Sequence, residues 1–449
     1  MHLKNAIAHY YPQIQEALRA LLGEQEEPGD KEFTPGVELP NLTPEMREYL
    51  SVSELAHLPM PAYRGKRLSL LDLTRNPGTL TTKTFASLLI VARAARFIQS
   101  TGQRVTIITP SSANKATAMR DAVLRAISSG LVSADQLNVA VIVPAGSVHK
   151  LRSSELFTDP VLRARNPIAV YQDGPPGAVK AIARSVVDKD GASLEKQANT
   201  NLWYTLQLEN YLAADVVRAL AEADFFAPSA GEPRLHVHAV SSAYGLLGHA
   251  YGRETLGVRA PGSPSRYFLV QHLGAPDMVL SLYNGGSFDS RHLPEYRYDG
   301  DSGLYKQGDN THFPSVTFDP KEVLDSTFYT RNPPTSSRMN SLIQNQGGGG
   351  IVVSLAECME RYGQVRLFLG EAGIQLPANP TAVREWSLIM AVTGTLNAID
   401  RGIITESDIL IHGSGAYFQG DYEDLTLRDL HIVDDHESLS ELILKATVS

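Results

Sequence analysis

A single lysine stands where an amine can do covalent chemistry. Lys83 ends the turn-forming stretch NPGTLTTK (residues 76–83) and precedes an apolar segment with helical periodicity, residues 84–99. This order places the amine at the positive end of a helix dipole, where an ammonium ion is disfavoured. Because a neutral lysine attacks aldehydes and a charged one does not, the position suits a carbonyl-binding nucleophile. The alternative for the isolated motif is a solvated surface lysine.

A hydroxyl-rich turn follows the next predicted element. Residues 105–109 (VTIIT) have the composition of a buried strand and run into PSSANKATA, residues 110–118, where a second helix begins. Hydroxyls and free backbone N–H groups at such a helix start favour a carboxylate or phosphate. A further strand, residues 139–143 (VAVIV), ends in the turn VPAG. Strands alternating with helices predict an α/β protein with mostly parallel sheets covered on both faces.

Several segments in this order resemble the fold-type II pyridoxal-phosphate enzymes, most closely their threonine synthase branch. NPGTLTTKTFAS, SSANKATA and VPAG are similar to that family's NPTGSFKDR, SSGNTG and VPAG. The likeness continues in LHVHAVSSAYGLLGHAYG, in RYFLVQHLGAP and in DRGIITESDILIHGSGAYF, so it extends over most of the chain. The resemblance implies a two-lobed α/β fold in which each lobe is a mostly parallel twisted sheet with helices on both faces. It also implies pyridoxal 5'-phosphate as the cofactor.

The resemblance assigns roles to Lys83 and to residues of the turn that follows the predicted strand at residues 105–109. Lys83 would hold the cofactor covalently and later move the α-proton of the substrate. Asn114 would hydrogen-bond the phenolic oxygen of the cofactor, although an Asx-turn is its ordinary role at a helix start. Ser111 and Ser112 would receive the substrate carboxylate, and N-capping is the alternative for both.

Further positions correspond to the family's phosphate loop and to its last strand. The loop matches Ser241, Ser242, Ala243, Tyr244 and Gly245. The donor near the pyridine nitrogen would be either His412 or, two residues on, Ser414.

Three departures from the family pattern affect these assignments. The phosphate loop has lost most of its glycines, so Ser241 and Ser242 would have to supply hydroxyl donors in their place. His412 stands where the family usually carries Thr or Ser, and its protonation would change how strongly the cofactor withdraws electrons. Lys115 stands where the family has Thr, which adds a cation beside the predicted carboxylate site. We therefore expect the substrate to carry a second anionic group.

These features predict a pyridoxal-phosphate-dependent lyase or transferase. It would act on a small amino-acid substrate by elimination or replacement at the β or γ carbon, in the manner of threonine synthase. Its role would be either in specialised biosynthesis or that of a housekeeping threonine synthase. The alternative is a non-catalytic scaffold that uses the same cleft to bind a small ligand or a protein partner. The altered phosphate loop is the feature that favours this alternative.

The composition indicates which partners and which cellular compartment to expect for the protein. The net charge of −9, without long runs of like charge, argues against nucleic acid as the main partner. The single cysteine, Cys358, has no intrachain disulfide partner, which predicts a buried structural thiol in a reducing, cytoplasmic compartment. No apolar run is long enough for a membrane span. A homodimer is expected by family analogy.

The predicted organisation has four parts. An N-terminal helical extension (1–58) precedes a large cofactor-binding lobe (59–100 and 186–430) that carries an irregular insert (284–335), a lid or an interface. A small substrate-closing lobe (101–185) and a C-terminal helical tail (431–449) complete the chain. His236 and His238 alternate on one strand but have no third ligand at convincing spacing, so we interpret the pair as structural rather than as a metal site.

Overall fold

The computed structural model describes residues 1–23, 32–229, 231–255 and 264–448. Contacts between residues divide the chain into two compact units. The first unit comprises Met1–Leu3, Leu55–Arg75 and Asp215–Gln419, and the second comprises Lys4–Glu54, Asn76–Ala214 and Gly420–Ser449. Each unit therefore assembles from several separate stretches of sequence.

The strands of the described residues form three sheets. In chain order they are β1 (His2–Leu3), β2 (Leu55–Pro59), β3 (Arg67–Asp72), β4 (Val105–Pro110), β5 (Leu137–Pro144), β6 (Ile168–Tyr171), β7 (Asn201–Tyr204), β8 (Arg234–Ala239), β9 (Ser265–His272), β10 (Arg297–Asp299), β11 (Leu304–Lys306), β12 (Val316–Thr317), β13 (Gly348–Val353), β14 (Asp408–Gly413) and β15 (His431–Val433).

The described residues also form seventeen α-helices. They are α1 (Ala6–His9), α2 (Tyr11–Leu22), α3 (Pro44–Tyr49), α4 (Lys83–Thr101), α5 (Asn114–Ser128), α6 (Glu155–Thr158), α7 (Pro160–Arg165), α8 (Ala178–Ser185), α9 (Gly191–Ala198), α10 (Leu208–Asp215), α11 (Val217–Phe225), α12 (Tyr244–Thr255), α13 (Asp277–Tyr283), α14 (Ser336–Gln346), α15 (Leu355–Glu371), α16 (Ser387–Asp400) and α17 (His436–Val448).

The first unit is organised around a seven-stranded sheet with the order β1-β2-β3-β14-β8-β9-β13. The strands from β3 to β13 are parallel, and β2 and β1 are added antiparallel at one edge. Every residue of β8 and β14 is buried, as expected for central parallel strands covered on both faces. Because β8 and β14 are neighbours, the loops that follow them emerge side by side at the carboxyl edge of the sheet.

The second unit contains a five-stranded, wholly parallel sheet with the order β15-β6-β5-β4-β7. All residues of β4 and β5 are buried. Helix α4 packs against α5 and is buried on nearly all sides, from Thr84 to Ala95. Apolar residues all around a helix indicate a core element, so α4 holds its first residue, Lys83, at a fixed position in this unit.

The predicted insert, residues 284–335, contains a small antiparallel sheet with the order β10-β11-β12. Its residues also protect the edge strand β13 of the large sheet. The N–H of Val352 donates to the carbonyl of His312 over 2.8 Å, and the His312 ring stacks on Tyr283 with 3.8 Å between centroids. A loop that occupies the free backbone groups of an edge strand prevents that edge from pairing with another chain.

The units differ from the predicted lobes in several places. Residues 76–100 and 186–214 lie in the second unit, because α4 packs on α5 and β7 pairs with β4. The predicted helical extension, residues 1–58, also contributes strands β1 and β2 to the large sheet. The predicted helical tail begins with strand β15, which pairs with β6 before α17 starts.

Cys358 lies in α15 and is fully buried, and burial raises the pKa of its thiol well above the usual value. This agrees with the predicted structural role. Within the described ranges, no helix is both long enough and apolar enough to cross a bilayer.

Candidate active site

The loop before Lys83 is organised by the side chain of Asn76. Its Oδ1 accepts from the N–H of Gly78 over 3.0 Å, while Nδ2 donates to Thr84 Oγ1 over 3.1 Å and to Asp121 Oδ2 over 2.8 Å. Asn76 is buried, so these bonds form away from competing water. One amide therefore ties the loop both to the start of α4 and to the side of α5, and it fixes where Lys83 begins the helix.

Close approach makes glycine necessary at one loop position. A Cβ atom on Gly78 would collide with the carboxylate of Asp121, the same group that Asn76 contacts. Leu80 has a φ of 53°, a left-handed conformation that is uncommon for a leucine. The loop thus holds backbone strain just before Lys83, of the kind that often accompanies a functional site.

Two lysines of the second unit face one aromatic ring. The Nζ of Lys83 lies 5.3 Å from the centre of the Tyr211 ring, and the Nζ of Lys115 lies 5.8 Å from the same centre. Lys83 is half-buried and Tyr211 is buried. A tyrosine ring attracts cations through its negative face, so Tyr211 can hold both amines close to one another.

Lys115 is buried and bound to protein groups. Its Nζ donates to the carbonyl oxygen of Thr205 over 2.8 Å and to Thr205 Oγ1 over 3.1 Å. Burial lowers the pKa of Lys115 well below its ordinary value, and the charges of Lys83 and Lys180 lower it further. We predicted that Lys115 faces a second anionic group. In the structure its amine is buried and contacts Thr205, the residue that follows β7.

The serine turn after β4 behaves as a helix cap. Ser111 Oγ accepts from the N–H groups of Ala113 and Ala116, over 3.1 and 2.9 Å, at the start of α5. Ser112 and Asn114 are half-buried beside it. Ala113, which stands where the related motif has glycine, has φ 92° and ψ −53°. This conformation is rare and strained for a residue with a side chain.

In the first unit, the predicted phosphate loop connects β8 to the start of α12. Ala243 has a φ of 54°, again a left-handed value at a non-glycine residue, and the carbonyl of Ser242 accepts from Thr335 Oγ1 over 2.8 Å. A Cβ atom on Gly245 would come within 2.8 Å of the His238 ring and 3.1 Å of the Arg218 guanidinium. The retained glycine is therefore required by close packing, with a buried arginine directly behind the loop.

Arg218 starts a chain of buried histidines in the first unit. It donates from Nε to Asp215 Oδ1 over 2.6 Å and from Nη1 to His412 Nδ1 over 3.0 Å. The other nitrogen of His412, Nε2, lies 3.1 Å from His236 Nδ1. Burial lowers the pKa of both histidines well below the usual value, so both rings are neutral. Since arginine only donates, His412 carries its proton on Nε2 and passes a hydrogen bond to His236.

The chain of hydrogen-bonding groups continues from His236 to the buried carboxylate of Glu222. The neutral His236 carries its proton on Nε2, 3.7 Å from Glu222 Oε1, and His249 Nε2 donates to Glu222 Oε2 over 2.7 Å. His249 Nδ1 then accepts from the hydroxyl of Tyr267 over 3.0 Å. Burial acts to raise the pKa of Glu222, but its hydrogen bond from His249 and the surrounding positive groups outweigh burial and hold the pKa well below its usual range.

Glu222, His236 and His249 also satisfy a loose distance criterion for a metal site, with ligand atoms within 4.8 Å of one another. The 2.7 Å separation of His249 Nε2 from Glu222 Oε2 is a hydrogen-bond distance, shorter than the spacing of two ligands on one tetrahedral ion. We therefore describe the cluster as a hydrogen-bonded network. His238, the predicted companion of His236, is not part of the cluster.

Ser414 differs from His412 in its hydrogen bonding. The Oγ of Ser414 is buried and has no hydrogen-bond partner among the described residues. Its segment is held by Ser387 Oγ, which donates to the Gly415 carbonyl over 3.2 Å, and by close packing of Gly415 against Glu385. A buried hydroxyl without a partner is costly unless a ligand supplies one, whereas both ring nitrogens of His412 are already occupied.

The predicted site residues thus fall into two groups. Lys83, Ser111, Ser112, Asn114 and Lys115 belong to the second unit, while residues 241–245, His412 and Ser414 belong to the first. Sequence reasoning missed Tyr211, Thr205 and Arg218. None of these three lies in a recognisable motif, and each reaches its partner only through the fold.

The fold of this chain is similar to that of two solved threonine synthases. Threonine synthase from Brucella melitensis, in a pyridoxal-phosphate-bound structure, matches with a TM-score of 0.53 and 11% identity, over 97% of this chain and 89% of that one. Yeast threonine synthase matches with a TM-score of 0.51 and 13% identity, over 96% and 88%. The fold is that of the fold-type II pyridoxal-phosphate enzymes, which confirms the predicted fold class.

Sequence comparison places the chain in a family without assigning it an activity. No curated protein matches it in sequence. One family profile matches residues 2–447, nearly the whole length. The chain belongs to the family of unknown function DUF6002.

Proposed function

We propose that this protein binds pyridoxal 5'-phosphate and acts on an amino acid by elimination or replacement at the β or γ carbon, as a threonine synthase-like lyase or transferase. The observation that carries the proposal is Lys83, whose half-buried amine begins a core helix after a loop fixed by Asn76. The cofactor, when bound, supplies an electron sink for negative charge at the α carbon of an amino acid.

The groups of the first unit fit such a cofactor. Gly245 allows the start of α12 to pack closely against the His238 ring and the guanidinium of Arg218, so a buried arginine lies directly behind the phosphate loop. Ser241 and Ser242 can donate hydroxyl hydrogen bonds to a phosphate group. Ser414 offers a buried hydroxyl without a partner. We therefore assign the contact with the pyridine nitrogen to Ser414, and a supporting role to His412.

The groups of the second unit would position the substrate and move its proton. Lys83 would hold the cofactor, release it to the incoming amino acid and then take the proton from the substrate's α carbon. Asn114 would donate its amide to the phenolic oxygen. Ser112 would bind the substrate carboxylate together with the start of α5, where Ser111 already caps two N–H groups.

We further propose that the substrate carries a second anionic group and that Lys115 contributes to its selection. Lys115 is bonded to Thr205, so its effect would be exerted across Tyr211 rather than by direct contact. Lys115→Met should weaken the binding of an anionic amino acid and reduce the dependence of binding on salt. Unchanged affinity together with unchanged salt dependence would rule this part out.

The cofactor proposal is tested by spectroscopy and covalent trapping. Purified protein incubated with pyridoxal 5'-phosphate should gain a visible absorbance band, and borohydride reduction should leave the modification on the peptide that contains Lys83. Lys83→Ala should lose both signals. Lys196→Ala, which removes an exposed lysine of the same unit, is the matched control and should retain them. Wild-type protein that stays colourless and unmodified would contradict the proposal.

The reaction is tested with a panel of amino acids that carry leaving groups on the β or γ carbon. Release of the leaving group, dependent on Lys83, is the expected result. The non-catalytic alternative is supported by the left-handed conformations of Ala113 and Ala243, which replace glycines of the related motifs. Under that alternative, no member of the panel would change the absorbance spectrum or be consumed. A homodimer is also part of the proposal, and light scattering of the purified protein measures it.

A further inference from the structure

A cavity of about 250 Å³ lies within the second unit, beside the base of the loop that carries Lys83. Pro77 and Gly78 of that loop form one wall, and Thr117 and Arg120 of α5 form another. Asp121, Ile168 and residues 151–154 and 421–423 complete the lining. None of these groups contacts the cofactor or the substrate in the function proposed above.

Arg120 is a buried cation without a carboxylate partner among the described residues. Its Nη1 donates to the carbonyl of Asn166 over 2.6 Å and its Nη2 to the carbonyl of Leu156 over 3.1 Å, while its Nε has no acceptor. The residue is 4% exposed, and burial lowers its pKa to about 10, so it stays charged at neutral pH. A buried charge is costly unless an opposite charge compensates it.

A second polar group of the cavity wall also has no partner. Thr117 lies three residues before Arg120, and so on the same face of α5. Its hydroxyl is buried and makes no hydrogen bond within the described chain. Arg152 adds another guanidinium, which donates to the Pro77 carbonyl over 3.3 Å and lies 4.6 Å from the centre of the Tyr422 ring. Donors and positive charge therefore converge on the inner part of the cavity.

Arg93, another buried arginine of the same unit, has an acceptor for each of its nitrogens. Arg93 donates from Nε to the Gly36 carbonyl, from Nη1 to Asn210 Oδ1 and from Nη2 to Thr34 Oγ1. Every nitrogen of that structural arginine is satisfied within the protein. Arg120, by contrast, leaves one donor without an acceptor at a cavity wall.

Three carboxylates also line the cavity. Asp121 accepts from Asn76 Nδ2 over 2.8 Å and from Arg125 Nε over 3.1 Å, so its charge is already compensated. Asp421 and Glu423 are exposed residues and are screened by water. The inner groups remain positive and rich in donors.

We propose that this cavity is a binding site for a small oxyanion, a phosphate or carboxylate group, held by Arg120 and Thr117 with Arg152 as a second cation. The anion would complete the hydrogen bonds of Thr117 Oγ and Arg120 Nε and compensate the charge of Arg120. It would also contact the base of the Lys83 loop, because Pro77 and Gly78 form part of the wall. The anion is either free in solution or a side chain of an amino-acid ligand.

Calorimetric titration with inorganic phosphate, in the absence of pyridoxal 5'-phosphate, tests the site. Thr117→Val removes a hydroxyl that has no partner in the protein, so the fold should be retained while phosphate binding weakens about tenfold. Arg152→Met should weaken binding by at least a similar factor. Arg120→Met would also deprive two carbonyls of a donor, so Thr117→Val is the decisive variant. Lys196→Met, the loss of one exposed positive charge, is the control and should bind as wild type does.

A second comparison separates this cavity from the phosphate loop of the first unit. The Ser241→Ala/Ser242→Ala protein should bind phosphate in the cavity as wild type does. If phosphate binding is absent from wild type, is unaffected by Thr117→Val and Arg152→Met, or is lost only in the double-serine variant, the proposal is wrong. Because no cofactor is needed, this result does not depend on the proposed enzymatic function.

Competition then identifies the source of the anion. If an amino acid with an anionic side chain displaces phosphate from wild type but not from Thr117→Val, the cavity receives a ligand side chain. If only inorganic anions compete, the cavity binds a free anion. Either outcome supports the site, and together they decide its use.

Discussion

His412 should make the folded protein sensitive to acid, and His412→Asn should remove that contribution. Burial, together with the charge of Arg218, lowers the pKa of His412 well below its ordinary value of 6.5. In the unfolded chain the ring is hydrated and binds a proton near 6.5, while in the folded protein it stays neutral. The unfolded state then binds more protons as the pH falls through 6.5. Stability from this group is therefore complete above that value and is lost below it.

The loss of stability on acidification can be calculated from the one proton that His412 binds in the unfolded chain. Each proton taken up only by the unfolded state changes the free energy of unfolding by about 1.4 kcal/mol per pH unit. Integrated from about pH 8 to about pH 5, a single histidine that is neutral in the folded state loses about 2 kcal/mol of stability. His236 and His249 are lowered in the same direction and add to the total for wild type. The difference between wild type and His412→Asn isolates the single residue.

Urea unfolding followed by circular dichroism at several pH values measures this difference. Asparagine keeps an acceptor for Arg218 but does not titrate, so His412→Asn should be less stable overall and should lose less stability on acidification. His292→Asn, which removes an exposed histidine, is the control and should follow the wild-type pH dependence. Parallel curves for wild type and His412→Asn would refute the assignment of His412 as a neutral, buried ring.

Three further predictions concern single positions. Ala113→Gly should raise the free energy of unfolding by about 1 kcal/mol, because glycine adopts a positive φ without strain. Ala116→Gly, inside α5, should lower the free energy of unfolding by about the same amount. Urea unfolding measures both changes, and a lower stability for Ala113→Gly would contradict the strain at this position. Gly245→Ala places a Cβ 2.8 Å from a buried histidine ring, so it should cost about 1–3 kcal/mol and weaken pyridoxal-phosphate binding, unlike Gly300→Ala, which meets nothing within 4 Å. Cys358 should resist thiol reagents until the protein unfolds, because it is buried and its pKa is raised; rapid labelling under native conditions would disagree with its position.

The local features of the fold were predictable from sequence. The loop 76–82, the helix after it and the strand at residues 105–109 are each encoded by neighbouring residues: turn formers, an apolar helical period and a β-branched run. The fold class followed from their alternation. Lys83 was placed at a helix start for the same reason, since the turn and the helix adjoin it in the chain.

Other contacts could not be predicted because they join residues that are distant in sequence. The sequence indicated that Lys115 lies near a substrate, and it gave no sign that Thr205, 90 residues away, accepts hydrogen bonds from the Lys115 amine. The division into lobes at residues 100 and 186 missed that β7 pairs with β4 across nearly a hundred residues. Periodicity reports which face of an element is buried, and it does not report which element covers that face.

The order of residues along the chain was sufficient for an α/β protein with one amine at the start of a core helix, because turns and periodicity act over a few residues. The bond from Arg218 to His412 spans 194 positions, and Tyr211 reaches two lysines that belong to different helices. The neutral histidine chain and the uncompensated charge of Arg120 arise only when the folded chain excludes water from these groups. Their chemistry depends on burial and on partners distant in sequence, and both come from packing in three dimensions.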